Sequence, residues 1–498
     1  MACNINASYF RDRTLGMRGI HDSAMQGART TAEKQALLNR VIADQRELLA
    51  RRVGNPAKLP QIFVPYKEVL PLLPGLAIPE DVTLVWPDDN FGYIRRLPQG
   101  EERARPGGHG VYYHLSYLGA PLSYLWLDTT PPALVAEEMG RAFDAGASRV
   151  WVVNGGDIKP AEVGLSHWFD LAWNPRAVRA QGQTAYLRGL AARLFGGALA
   201  DDVGALWDAA YRLNFERRPE HLKSPSGWPP ERVQARLAAF NALRPRLDAV
   251  RARLQPAQRD GFFQLVDYPL RAAALANERF FALEAGRAEA AWHADLRLKA
   301  LTARYNAGRW AGILAEEPAD SQWPRFRQPK PALPALDTGP LRARAEADLD
   351  KSVADAFAPV TAPAPQPFTV EAQADDAWLP LTGFGRGDRT LRALRAGAAL
   401  SLKAAAHEGP ACLSVHLLPT YPGDGASPWV LTLQPSGAVV ELPRRDQDAA
   451  WALGVLDNRL TARWTVPAGP LNARLTTASA DLLFDGAELQ DRPCPESR

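Results

Sequence analysis

Cysteine is scarce. Cys3, Cys412 and Cys494 are the three present in 498 residues, too few and too scattered for a disulfide framework or a metal cluster, and they read as free thiols. Long apolar runs are lacking as well: no stretch approaches the roughly 18 residues a membrane-spanning helix requires, so no membrane role is read. An excess of one charge sign is missing. The formal net charge is +3, spread along the chain, which leaves no basic footprint for nucleic acid. The start, Met1-Ala2-Cys3-Asn4, shows no charged leader followed by an apolar core, so no secretion signal is read in the chain as it stands and its location is unassigned. No internal repeat is evident. What is present is a composition of 46% hydrophobic and 23% charged residues, ordinary for a globular protein, at a length that suggests about three domains.

From Arg18 to Asp157 the chain reads as short apolar strands, each ending in polar residues. The first strand end is Gly16-Met17-Arg18-Gly19, leading to Asp22. After it Thr30 and Glu33 fit a capping box, and Leu37, Leu38, Val41, Ile42, Leu48 and Leu49 recur at helical spacing. Ile62 to Val64, Val82 to Trp86, Gly110 to Leu115 and Arg149 to Val153 read as the following strands, with a helix starting at Pro131-Pro132 and closed by Gly146. Strand alternating with helix predicts a parallel α/β sheet, here about the last five strands of a (β/α)8 TIM barrel over residues 1–174. Past residue 175 the strands stop. Segments rich in Ala, Leu and Arg (177–194, 203–215, 232–254 and 259–306) predict a helical bundle over 175–325, with breaks or kinks at Pro245 and Pro269. Residues 326–370, rich in Pro, Ala and Asp, read as a linker. From 371 to 498, β-type runs at 412–418, 429–433, 438–442, 460–466 and 472–477, separated by Gly, Pro and Asp turns, predict an antiparallel β-sandwich.

In a β/α barrel the loops after successive strands converge on one pocket, and here those positions carry Arg18, Asp22, Tyr66, Glu68, Asp88, Asn90, His114 and Tyr117. Two carboxyl groups are the usual requirement for glycosidic cleavage, one to protonate the leaving oxygen and one to activate water or attack carbon. The Arg18 fork suits a bidentate grip on a substrate carboxylate. Tyr66 and Glu68, two apart, would share a side of extended backbone, and Asp88 with Asn90 repeats that spacing. Trp86, Tyr112, Tyr113 and Trp126 offer aromatic faces for stacking. Structural readings stand beside these. Asp89 fits an Asx turn, Arg18 could pair with Asp22, and His114 alone could be a half-buried structural histidine. His21 with Asp22 lacks a third metal ligand. Gly155-Gly156-Asp157 lacks the spacing of a nucleotide loop. No cofactor or metal site is read, and the recurrence of polar clusters at one end of consecutive strands favours an enzyme.

The strings Gly16-Met17-Arg18-Gly19, Val64-Pro65-Tyr66-Lys67-Glu68-Val69, Trp86 to Arg95, Tyr112 to Tyr117, Trp126 to Ala133 and Gly155 to Glu162 resemble glycoside hydrolase family 115, the xylan α-1,2-glucuronidases. The resemblance implies removal of glucuronic or 4-O-methylglucuronic acid from xylose in glucuronoxylan, with inversion, and places the barrel, helical domain and sandwich in the family's order. It implies Glu68 and Asp22 as catalytic carboxyls, with Glu68 as the acid, Asp22 as the base and Asp88 as the rival base. Arg18, Tyr66, Asp88, Asn90, His114 and Tyr117 become substrate-binding groups. It further implies a domain and about three barrel strands ahead of the first strand read here. Two alternatives therefore stay open: an inactive carbohydrate-binding fragment, and a subunit completed by a separately supplied barrel segment. The implied partners are glucuronoxylan or its oligosaccharides, with a homodimer as one open arrangement. Family members are often secreted or periplasmic.

Overall fold

The computed structural model describes residues 13–19, 23, 25–316, 332–349, 368–386, 389–423, 428–445 and 448–495. Expectations placed on Cys3, His21 and Asp22 fall outside them. The chain divides into two compact units, one of Met1–His114, Glu137–Asn154 and Thr420–Ser427, the other of Leu115–Ala136, Gly155–Pro419 and Pro428–Arg498.

The first unit is built on a parallel sheet in the order β1 (Arg13–Thr14), β2 (Gln61–Phe63), β3 (Thr83–Pro87), β4 (His109–His114) and β5 (Val150–Asn154). Helix α1 (Thr31–Arg52) crosses from β1 to β2. Its start is fixed as the sequence predicts, with the Thr30 side chain accepting from Glu33 N and the Glu33 carboxylate returning to Thr30 N, and its buried face is Leu38, Ile42 and Leu49. Central strand β3 is buried throughout, and Val85, Trp86, Val111 and Tyr113 are fully enclosed, as expected of strands covered on both faces. The second half of α2 (Pro132–Asp144) adds buried Met139 and Ala142.

The second unit holds the helical region and the sandwich. Helices α3 (Glu162–Trp173), α4 (Pro175–Phe195), α5 (Ala200–Glu216) and α6 (Pro230–Arg251) are followed by α7 (Arg259–Phe262), which passes through a π turn at Phe263–Asp267 into α8 (Tyr268–Glu284), and then by α9 (Ala288–Tyr305). Pro269 sits just after the π turn, in the first turn of α8, and the backbone stays helical across the junction instead of breaking. Pro245 marks no break either, since α6 runs through it. Helix α10 (Gly339–Ala347) lies within the stretch read as linker.

The sandwich has one sheet of β13 (Ala438–Leu442), β12 (Trp429–Gln434), β15 (Gly469–Thr477), β10 (Ala399–His407) and β7 (Glu371–Ala374). The other consists of β14 (Leu460–Val466), β11 (Ala411–Leu417), β16 (Leu483–Gln490), β9 (Arg389–Ala393) and β8 (Trp378–Thr382), with β6 (Phe368–Thr369) paired to β16. Leu413, Val415, Trp429, Leu431, Leu475 and Phe484 are among the residues of its core. Helix α11 (Ala449–Asp457), capped by the Asp448 side chain, interrupts the strands. The cysteine expectation is overturned here: Cys412 and Cys494 form a disulfide. Antiparallel pairing sets Cys412 opposite Gln490, so the segment just after β16 returns alongside β11 despite a sequence separation of 82 residues.

Candidate active site

Because β1 to β4 are parallel neighbours, their C-terminal ends lie along one edge, and the candidate residues of the first unit gather there. After β1 the backbone turns at Gly16, whose φ is +94°. A Cβ at this position would press on the Phe63 ring, so glycine is required. Gln45 of α1 clamps the turn, accepting from Gly16 N at 2.7 Å and donating to Gly16 O at 3.2 Å. Arg18 follows. Its Nε and Nη2 donate to Glu68 Oε1 and Oε2 at 3.0 and 2.9 Å, a two-point ion pair. The side chains remain 21% and 28% exposed, so the pair is open to solutes.

Glu68 does not reach this place through strand alternation. Tyr66 is extended, Lys67 takes a left-handed φ of +49°, and Glu68 is the second residue of a 3-10 helix, Lys67–Gly75. A lysine at positive φ is a strained choice of the kind concentrated at functional sites. The turn aims Tyr66 inward, where its hydroxyl donates to Asn90 Oδ1 at 2.5 Å. Its ring lies 4.7 Å from the Arg18 guanidinium and 5.1 Å from Lys67 Nζ. Cation–π attraction thus joins the strand ends of β1 and β2.

The loop after β3 is organised by its two aspartates. Asp88 is fully buried. Its Oδ1 accepts from Asn90 N at 3.1 Å and from His114 Nδ1 at 2.6 Å, and its Oδ2 accepts from Gly92 N and His114 N, each at 3.1 Å. With four donors around it, Asp88 is engaged by its protein neighbours, and it holds His114 in place through both the backbone N–H and the ring Nδ1. Asp89 behaves as the Asx turn expected of it, accepting from Phe91 N and Tyr93 N. Directly after the two, Asn90 stands at φ +73°, a conformation asparagine tolerates better than most, and its amide oxygen meets the Tyr66 hydroxyl. Behind the loop, fully buried Glu138 accepts from Ile94 N at 2.9 Å. Burial raises its carboxyl above the usual range, partly offset by Arg141 and Thr420.

His114 closes the cluster from the end of β4. Its ring stacks on Tyr66 at 6.0 Å and meets Tyr112 tilted, at 4.7 Å, and Asn154 at the end of β5 donates to the Tyr112 hydroxyl at 3.3 Å. Of the aromatic faces expected for stacking, Tyr112 is half-buried, whereas Trp86, Tyr113 and Trp126 are enclosed in packing. Trp86 Nε1 donates to His109 and Trp126 Nε1 to Tyr268. Tyr117 belongs to the second unit. It is buried, and its backbone N–H and C=O both pair with Tyr124 at 3.0 Å. Asp22 lies outside the described residues, flanked by Gly19 and Ser23, which are joined by a 3.0 Å backbone bond. Lys67 escaped sequence reasoning. Its charge beside Glu68 was visible, but its inward turn depends on a backbone conformation that no side-chain pattern announces.

Around Arg18 and Glu68 the first unit thus assembles a carboxyl group, a guanidinium, a tyrosine hydroxyl, an amide and an oriented imidazole. Such groups can hydrogen-bond sugar hydroxyls, hold an anion and move a proton. Among the described residues, no group of three or more His, Cys, Asp or Glu side chains could hold a metal ion.

The sequence model described as glycosyl hydrolase family 115 matches residues 6–221. A solved structure described as a family GH115 4-O-methyl-α-glucuronidase, BtGH115A, with specificity for decorated arabinogalactans, is 30% identical with a TM-score of 0.80. The match covers 97% of this chain and 64% of that one, so the chain spans less than two thirds of that relative's length. The C-terminal CBM6 of LamC from Zobellia galactanivorans matches 24% of this chain and 98% of its own at 10% identity and a TM-score of 0.18. A family 35 carbohydrate-binding module from Clostridium thermocellum matches 26% of this chain and 98% of its own at 14% identity and the same score. No curated protein matches. Similar in sequence from the first strands into the helical region, and similar in fold to the solved enzyme along nearly all its length, the chain belongs to glycosyl hydrolase family 115.

Proposed function

We propose that this chain carries the active site of a glycoside hydrolase that removes glucuronic acid, or its 4-O-methyl ether, α-1,2-linked to xylose in glucuronoxylan or its oligosaccharides, with inversion. The observation that carries the reading is the Arg18–Glu68 pair, set beside Tyr66, Asn90 and His114 on adjoining strand ends. A uronic sugar needs an anion partner, a proton donor for the leaving oxygen and hydroxyl ligands, and these residue types supply all three. In this reading Glu68 protonates the xylose oxygen and Asp22 activates the attacking water. Arg18 takes the uronate carboxylate, and Tyr66, Asn90 and His114 bind hydroxyls. Asp88 acts through His114. Inversion requires the two carboxyls to stand roughly 6.5–9.5 Å apart to admit a water.

The test is release of (4-O-methyl)glucuronic acid from glucuronoxylan, followed by chromatography. Glu68→Gln and Asp22→Asn are each expected to lower kcat by about 10²- to 10⁴-fold, the usual contribution of a general acid or base. Undiminished release by either variant would remove that residue from the chemistry. Binding of glucuronoxylan without release by the unaltered chain would point instead to a carbohydrate-binding role. A second reading, glucuronate carried on arabinogalactan, is favoured by the specificity stated for the solved relative. Parallel assays on the two polysaccharides separate them.

A further inference from the structure

We infer that Glu68 and the carboxylate of an incoming uronic sugar compete for one edge of the Arg18 guanidinium, so that substrate binding itself loads Glu68 with the proton it later donates. This rests on the reading that the ligand is a uronate.

The argument starts from what holds each partner. Arg18 offers its Nε/Nη2 edge, and Glu68 fills that edge with both oxygens. The guanidinium lies 4.7 Å over the Tyr66 ring, and that ring is pinned by its hydroxyl on Asn90 and by the stack with His114. Arg18 is therefore the fixed member. Glu68, on the first turn of a short 3-10 helix and 28% exposed, is the member able to swing away. A carboxyl that is to protonate a leaving oxygen must carry the proton on one of its own oxygens. In the pair as found, both oxygens instead accept N–H from a cation. Planar, two-point recognition of carboxylates is what this edge of arginine does best, and two carboxylates cannot share it while both are ionised.

The exchange balances as follows. Before binding, the Arg18–Glu68 pair consists of one guanidinium and one carboxylate. The uronate anion enters and takes the Nε/Nη2 edge, one proton enters from solvent onto Glu68, and the net charge of the site is unchanged. During reaction that proton passes to the glycosidic oxygen as the C1–O bond breaks, while a water that gives its proton to Asp22 bonds to C1. Glu68 is left ionised and able to reclaim Arg18 as the glucuronate product leaves.

The experiment is calorimetric titration of the full chain with glucuronic acid at near-neutral pH, in buffers of different ionisation enthalpy. Proton uptake appears as a dependence of the observed heat on the buffer. Uptake approaching about one proton per bound sugar is expected for the unaltered chain and none for Glu68→Gln, since the amide removes the like-charge conflict. The methyl ester of glucuronic acid, which has no anion to place on Arg18, is expected to bind the unaltered chain without uptake. That comparison needs no variant to fold. Glucuronate binding with no buffer dependence would overturn the exchange while leaving the uronate reading intact. It would mean that the sugar uses the other edge of Arg18 or another cation. Failure of glucuronate to bind either form would overturn the uronate reading, and the exchange with it.

Discussion

Asp88 shows how one buried carboxylate can organise the residues around it. Its four donors include both the backbone N–H and the ring Nδ1–H of His114, so it sets where the ring lies and which nitrogen carries hydrogen. Asparagine at this position has one acceptor oxygen where aspartate has two, and its NH₂ would confront donors. Asp88→Asn is therefore expected to cost about 1–3 kcal/mol of stability, the penalty of leaving buried donors unmet, read from the denaturant midpoint. It should also lower kcat more than it raises KM, because the imidazole is misplaced and not removed. Tyr66→Phe makes a milder contrast. It deletes the hydroxyl bonded to Asn90 while keeping the ring under Arg18, so a loss of about 1 kcal/mol is expected. The KM for an oligosaccharide should shift more than its kcat.

Among the elements, β4 and β5 meet at a glycine. A Cβ at Gly110 would fall inside the Val150 carbonyl oxygen, so the two strands approach as closely as they do only because the side chain is absent. Gly110→Ala is expected to destabilise the sheet by about 2 kcal/mol or more through displaced backbone. Faster amide exchange in Val150–Asn154 than in β3 would locate the damage. Element α1 and strands β2 to β5 were legible in the sequence because each has a local cause: a capping box with helical periodicity, or a continuous apolar run between turn residues. Much else lacked such a cause. Strand β7 is exposed along its whole length and alternates nothing. Helix α11 sits among β-type runs, and the disulfide depends on which strands neighbour one another. The site divides in the same way. Arg18, Glu68, Asn90 and His114 could be picked out by chemistry and position. That Arg18 would grip Glu68, 50 residues away, and that Asp88 would hold His114, depend on the backbone path, including left-handed residues at Lys67 and Asn90. No sequence period encodes that.

At the scale of the whole molecule, pH acts through acids buried in the second unit. Burial pushes Asp128 up to about 6, with Gly164 N and the Tyr211 hydroxyl pulling weakly the other way. Asp485 is likewise raised by burial to about 6 despite nearby Arg459 and Arg386. Both folded values exceed the ordinary 3.8, so the folded state binds these protons more tightly than the unfolded chain does. The stability they contribute is complete below about pH 4 and is lost as pH rises through 6, at most about 3 kcal/mol for each group. Melting temperature measured between about pH 4 and pH 7 should therefore carry a downward slope from this source. Asp128→Asn should flatten that slope by its share, and an unchanged slope would show that the buried carboxyl is not its origin.

The Cys412–Cys494 bond gives the molecule a memory of where it was made. Material folded in a reducing cytoplasm and material folded in an oxidising compartment would be identical in sequence yet differ by one covalent tie. In the second, the segment following β16 is fastened to the strand it lies beside. In the first, it is held there by contacts alone. Preparations compared without controlling that history would be comparisons between two molecules.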